Sequence, residues 1–297
     1  MPKAILKHKF IYLMILPTFI YFLVFSYVPM IGIIIAFKDI QLFKGIWASP
    51  WVGLEHFRTF FSSIQFNRLM GNTLTISLSR ILFGFPIPIL FALLLNEVRI
   101  GVFKKAVQTI TYFPHFLSWV IFGGIIYNLL GPIGAVNLIL DLLGMEKIDF
   151  MTNPSIFRGM LIVTGILKEF GWGAIIYLAA LSGIDGTLYE AARIDGAGKL
   201  RQIWHITLPG IRSTIVLMFV LSLAGIMDAG MEQILILANP LVYSTSDIID
   251  TYVYRIGLQE SNFGLATAVG LFKGVIGTIL IVLGNMIVRR TGERSIW

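Results

Sequence analysis

The chain has 297 residues, of which 57% are apolar and only 13% charged, with a formal net charge of +7. Soluble domains carry about 25% charged residues, so there is too little charge here to cover a water-facing surface, and the surplus apolar area must face lipid. The absence of cysteine excludes disulfides, thiol catalysis and cysteine-ligated metals.

Taken from the N-terminus, Lys3, Lys7 and Lys9 precede an apolar stretch, as in a signal peptide. The run from Phe10 to about Phe37 is too long for one, and no small-x-small cleavage site follows it, so it reads as a retained first span. A helix needs about 20 apolar residues to cross hydrocarbon. Six segments qualify, roughly Phe10–Phe37, Arg68–Leu95, Thr109–Leu130, Ile156–Gly183, Gly210–Ala238 and Phe263–Val288. Membrane strands need only about 10 residues, so the lengths predict an all-α membrane protein. No low-complexity linker or short repeat divides the chain, which reads as a single transmembrane domain, residues 1–297.

Basic residues orient the spans, because cytoplasmic loops carry an excess of them. With the N-terminus inside, the inner segments hold twelve: Lys3, Lys7, Lys9, Arg99, Lys104, Lys105, Arg193, Lys199, Arg201, Arg289, Arg290 and Arg294. The outer loops hold five: Lys38, Lys44, Arg58, Lys147 and Arg255. Both termini are thus expected in the cytoplasm. The outer loops carry turn signals at Ser49-Pro50, Gly131-Pro132, Asn153-Pro154 and Asn239-Pro240, with Trp47 and Trp51 suited to the headgroup zone.

The loop between the fourth and fifth spans, about 184–209, is the most informative. Tyr189–Ile194 is helix-compatible, and Asp195-Gly196 has the chemistry of a helix stop. Lys199–Thr207 is amphipathic, with Leu200, Ile203, Trp204 and Ile206 apolar, and Pro209 fits the first turn of the fifth span. By amphipathicity alone this can also be read as an interfacial helix lying in the headgroups. Gly196-Ala-Gly198-Lys199 is not a P-loop, since Arg193 stands in the place of its first glycine and Leu200 in that of its Ser/Thr.

Glu190-Ala191-Ala192, then Gly196, then Ile206-x-Leu208-Pro209 resembles the EAA loop of binding-protein-dependent importer permeases, at the family's spacing. Ile203 stands where that family often has an aromatic residue. Further stretches are similar to the sugar-permease branch, among them Phe25-Ser-Tyr27-Val-Pro29, Trp51-Val-Gly-Leu54, Asn72-Thr73-Leu, Asn96-Glu97-Val, Tyr112-Phe-Pro114-His115-Phe-Leu-Ser118-Trp119 and Asp250-Thr-Tyr252-Val-Tyr254-Arg255. The texture is closest to permeases for oligogalacturonide, alginate or related oligosaccharides. The resemblance implies a type I importer permease of an ABC transporter in the bacterial cytoplasmic membrane. It implies a paralogous second permease, two ATPase subunits that bind the ATP and Mg, and an extracytoplasmic binding protein that delivers an oligosaccharide. It also implies that Glu190, Ala191, Ala192, Asp195, Gly196, Ile206, Leu208 and Pro209 couple the chain to the ATPase. No cofactor of the chain's own and no nucleic acid are expected.

Ionisable residues inside spans are functional candidates. Arg80, Lys168, Asp228 and Lys273 fall at a similar depth, roughly 15–18 Å from the outer boundary at 1.5 Å per residue. Glu169 adjoins that layer, and Glu232 is expected one turn above Asp228 on one helix face. The layer either fixes helix packing through ion pairs or lines a wet cavity for the sugar, in which a one-charge cationic excess would suit acidic cargo. Tyr127, Trp119 and Trp172 could stack on sugar rings or simply pack. Gly225 and Gly230 bracket Asp228 and could either break span five or serve helix packing.

An ion-coupled secondary transporter would use Asp228, Glu232 and Lys273 but predicts an inverted repeat, which the sequence lacks, and leaves the EAA-like loop unexplained. A membrane enzyme has no residues to rest on: His8, His56, His115 and His205 are scattered, with no H-E-x-x-H or G-x-S-x-G.

Overall fold

The computed structural model describes residues 9–41 and 43–290. Lys3, Lys7, His8 and Arg294, used in the charge and histidine readings, lie outside these residues, as do the side chains of Lys9 and Arg290. The described residues are almost wholly helical, with a lone antiparallel bridge between Lys38 and Trp51. In chain order the helices used below are α1 (Phe10–Phe37), α2 (Glu55–Ser62), α3 (Ile64–Glu97), α4 (Gly101–Phe116), α5 (Trp119–Leu130), α6 (Ala135–Leu142) and α7 (Pro154–Ser182). They continue as α8 (Gly186–Ile194), α9 (Lys199–Gly210), α10 (Arg212–Ala224), α11 (Met231–Leu237), α12 (Ile249–Tyr254) and α13 (Phe263–Arg290). Five runs, α1, α3, α5 with α6, α7 and α13, are long and apolar enough to cross a membrane. A sixth is reached if α9 and α10, bent by 63°, count as one broken span.

Of the four π turns among the described residues, three widen just ahead of a proline and the fourth, Arg255–Gln259, does not. Three π turns, Leu23–Tyr27, Arg80–Gly84 and Ile203–Thr207, each end two residues before a proline, at Pro29, Pro86 and Pro209. A proline ring inside a helix meets the carbonyl four residues back and offers it no N–H. A wider turn just before the proline moves that carbonyl off the ring's path, which keeps the helix running.

Two sequence expectations for the spans change. The third was placed at Thr109–Leu130, but the chain breaks at Leu117, and Ser118 caps α5 by accepting the Ile121 N–H at 3.4 Å. The fifth was placed at Gly210–Ala238, but it starts after a bend at Ile211 and stops at Gly225. Pro209 therefore closes the loop helix α9 rather than opening span five. The segment 225–230 is not helical, and Gly230 has φ +84°, a conformation that side chains other than glycine's resist. Asp228 lies in that break, so it and Glu232 of α11 do not share a helix face.

The chain divides into two compact units. The first comprises the residues up to Phe66 together with Val253–Phe272. In it the buried Lys38 amine donates to the Ile46 and Trp47 carbonyls at 2.9 Å each and lies over the Trp51 ring. The rings of Phe60, Phe61, Phe66 and Phe272 interlock there at 5.2–6.2 Å between centroids.

The second unit comprises Asn67–Tyr252 and the residues from Lys273 on. One core of this unit gathers Ile76, Phe122, Phe157, Leu161, Ile234 and Ile248. The other gathers Ala92, Leu93, Tyr177, Leu181 and Ile211. A buried polar strap ties the stretch 239–252 to α3 and α7. Asn72 donates to the Asp247 carbonyl at 3.0 Å, and Arg158 donates to Asn72 Oδ1 at 2.6 Å and to the Thr245 carbonyl at 3.1 Å. Each of these groups would be costly to leave unpaired away from water.

Candidate functional site

The loop between α7 and α10 is built by two caps. Asp185 Oδ1 accepts the Thr187 N–H at 2.9 Å and starts α8. That N–H, with the Thr187 hydroxyl, holds the Asp185 carboxyl below the ordinary carboxylate range. At the other end the Ala197 N–H donates to the Ala192 carbonyl at 2.8 Å, and the Gly196 N–H to the Arg193 carbonyl at 3.1 Å. This is a Schellman closure, and it needs the left-handed residue that Gly196 supplies at φ +72°. The helix stop expected at Asp195-Gly196 is there.

The loop then folds back on the spans. Ile203 and Leu208 of α9 pack on the core around Ala92, Leu93 and Tyr177. The Tyr189 hydroxyl meets Thr207 Oγ1 at 3.0 Å, and the buried Gln202 amide donates to the Ala197 carbonyl at 2.8 Å. What faces outward is different. Glu190, Ala191, Asp195 and Gly196 are exposed, as are Ile194 at 87% and Leu200 at 74%. Ala192, Ile206 and Leu208 are half-buried and Pro209 is exposed. These open apolar side chains stand beside the charged Glu190, Arg193 and Lys199. Sequence reasoning missed the anchors Tyr189, Gln202 and Thr207, whose polar groups pair only once the loop is folded.

The second feature is an open cavity of about 500 Å³, walled by α3, α5, α7 and α10. Of the candidates, it brings Arg80, Glu169 and Trp172 to one wall, beside Trp119 and Tyr177. Lys168 is 4% exposed and lies behind that wall. Its amine donates to the His115 carbonyl at 2.9 Å, stands 3.6 Å from Glu169 and sits over the Trp119 ring. His115 Nδ1 is 2.7 Å from Glu169 Oε2, and its ring stacks parallel to Trp172 at 4.6 Å. An aromatic wall with one open carboxylate can stack on a sugar ring and accept its hydroxyl protons. His115 was set aside in the sequence, where nothing marks it as a neighbour of residues 169 and 172.

Arg80 is a brace as well as a lining residue. Its guanidinium donates to Gln233 Oε1, while the fully buried Gln233 donates to the Leu161 carbonyl at 3.0 Å and to Thr164 Oγ1 at 2.8 Å. The guanidinium lies flat over Gly165 and Gly230, where a Cβ would crowd or overlap it. Span two is thereby fastened to span four and to the break in span five. Asp228 and Glu169 both act on the guanidinium electrostatically. Lys273 is paired with Asp250 at 2.6 Å, and neither lines the cavity. Tyr127 and Glu232 are exposed, and neither they nor Asp228 line the cavity. The cations of the layer are thus engaged with protein groups, and of them only Arg80 lines the cavity, opposite in charge to Glu169. Among the described residues no His/Asp/Glu cluster is arranged to hold a metal ion.

A family model described as "Binding-protein-dependent transport system inner membrane component" matches residues 84–293. The polygalacturonan/rhamnogalacturonan transport system permease protein YteP of Bacillus subtilis is 48% identical over 99% of this chain and 92% of its own length. A crystal structure of a bacterial ABC transporter involved in the import of the acidic polysaccharide alginate has a chain that superposes with a TM-score of 0.91 at 44% identity, covering 97% of this chain and 98% of that one. The bacterial alginate ABC transporter, solved in complex with an alginate pentasaccharide-bound periplasmic protein, has a chain matching at a TM-score of 0.92 and 43% identity over 99% of both.

Proposed function

The chain belongs to the family of binding-protein-dependent transport system inner membrane components, and from that premise we propose that it forms half of the translocation pathway for an acidic oligosaccharide. It is a multi-pass permease of the inner membrane and works within a sugar importer. A separate ATPase docks on the loop 184–209, binds the ATP and Mg and does the hydrolysis. A second, paralogous permease supplies the facing wall, and an extracytoplasmic binding protein delivers the cargo.

The observation that carries the reading is the loop. Its backbone is closed by caps and anchored on one side by Ile203 and Leu208, while Glu190, Ala191, Ile194 and Leu200 are left open on the other. A rigid, two-faced element of this kind can pass a push from a docked partner to the spans it is packed on. The cavity suits a sugar through Trp172, Trp119 and Glu169. The acidic class rests on what relatives carry, polygalacturonan and alginate, whose sugars bear carboxylates.

The test is uptake into vesicles holding the assembled complex, with binding protein loaded with a galacturonate trisaccharide or with maltotriose. Uptake of the galacturonate that depends on ATP supports the reading. ATP-independent uptake driven by an ion gradient overturns it in favour of a secondary transporter, and a preference for maltotriose overturns the acidic class alone.

A further inference from the structure

The first loop helix, α8, does not pack directly on the end of span two. A cleft of about 340 Å³ lies between them, lined by Asn96, Glu97 and Arg99 on one side and by Tyr189, Glu190 and Arg193 on the other. At this cleft the Lys199 amine, at the start of α9, forms an ion pair with the Glu97 carboxylate, the last residue of α3. The two residues are 102 positions apart in sequence. The pair is open to water, with side chains 55% and 39% exposed. Pairs this exposed contribute little to folding stability, so what this one can set is the position of α9 relative to α3. That position matters at the other end of the helix. Arg80 lies 17 residues from Glu97 in sequence, about 25 Å along a helix axis, and joins the cavity wall to the break in span five through Gln233.

We propose that the Glu97–Lys199 pair is the tie by which the coupling loop positions span two, so that without it ATP hydrolysis and sugar movement come apart. The proposal rests on the importer reading above. Both members are positioning residues: neither lines the cavity, and Lys199 lies within the loop 184–209 with its amine on Glu97. The apolar contact of Ile203 and Leu208 with Ala92 and Leu93 holds α9 against the spans but does not fix its slide along them, since apolar packing is non-directional. An ion pair at the far edge supplies that registration.

The experiment is charge reversal and exchange in the assembled complex, reading galacturonate trisaccharide moved per ATP hydrolysed. Glu97→Lys and Lys199→Glu should each lower that ratio about two- to fivefold, the upper scale of an exposed pair, with subunit assembly and hydrolysis in the absence of sugar kept for Glu97→Lys, which lies outside the loop. The double exchange, which restores the pair reversed, should return the ratio to within about twofold of the natural chain. If a reversal prevents assembly, Glu97→Gln and Lys199→Gln remove the pair without repulsion and are read in the same way. Single variants that couple like the natural chain, or a double exchange that fails to rescue, overturn the tie. A natural chain that shows no ATP-dependent uptake at all instead overturns the importer reading, so the two failures are told apart.

Discussion

Gly196 closes α8 at φ +72°, and a Cβ built there would meet nothing within 4 Å. Substitution therefore probes backbone conformation with no steric contribution. An alanine held in the left-handed region costs about 1–2 kcal/mol, which lowers the ratio of closed to open loop by a factor of about 5–30. If the ATPase docks only on the closed loop, its apparent affinity follows the closed fraction and falls by at most the same factor. Asparagine tolerates this region better, so Gly196→Asn should lose less than Gly196→Ala. Gly196→Pro should lose most, because it fixes φ near −65° and removes the N–H given to Arg193. Binding of the purified ATPase to permease in lipid nanodiscs, measured by titration, reads the series directly. Equal affinities for the glycine, asparagine and alanine forms would refute the argument that the left-handed closure presents the loop.

Gln233→Leu leaves the Arg80 guanidinium and Thr164 without their partner inside the membrane domain; a loss of about 1.5–3 kcal/mol should appear as a lower Tm in detergent. Trp172→Ala removes one ring of the aromatic wall of the cavity, the one on which His115 stacks. Uptake of galacturonate oligosaccharide should fall about two- to tenfold, the scale of one aromatic contact. The Asp185 cap gives a pH dependence with a definite sign. Its folded carboxyl titrates below the ordinary value of 3.8, so its stabilisation is fully present above that value and is lost as pH falls through the lowered one. Hydrogen-exchange protection at the Thr187 amide, corrected for intrinsic rate, should hold down to about pH 4 and drop below it; Asp185→Asn should flatten the profile.

The spans were legible because lipid demands long apolar runs, and α1, α3, α7 and α13 follow them closely. The breaks were less so. Leu117-Ser118 and 225–230 lie inside runs whose mean hydropathy stays high despite His115, Asp228 and Glu232, and hydropathy is blind to the backbone angle that ends a helix. Gly225 and Gly230 hinted at the second break, but glycine is also a packing residue in membranes. In the loop 184–209 the stop of α8 at Asp195-Gly196 was legible because its chemistry is local, whereas the Asp185 cap and the anchors Tyr189, Gln202 and Thr207 were not read. The cavity is the opposite case. Lys168 and Glu169 are neighbours in sequence, yet one is buried against the His115 carbonyl while the other opens to the cavity. Depth along a span places residues in a layer, but only packing decides which side of a helix meets the cavity. Lys273 belongs to the layer by depth and to Asp250 by contact.

The most direct test of the account is the ATPase activity of the complex assembled from this permease, its partner permease and their ATPase in lipid, measured with and without sugar-loaded binding protein and repeated with Glu190→Lys. The account predicts that loaded binding protein stimulates hydrolysis and that the reversal at exposed Glu190, on the open face of α8, abolishes the stimulation. Stimulation that survives Glu190→Lys undiminished would contradict the assignment of the loop 184–209 as the place where hydrolysis is coupled to transport.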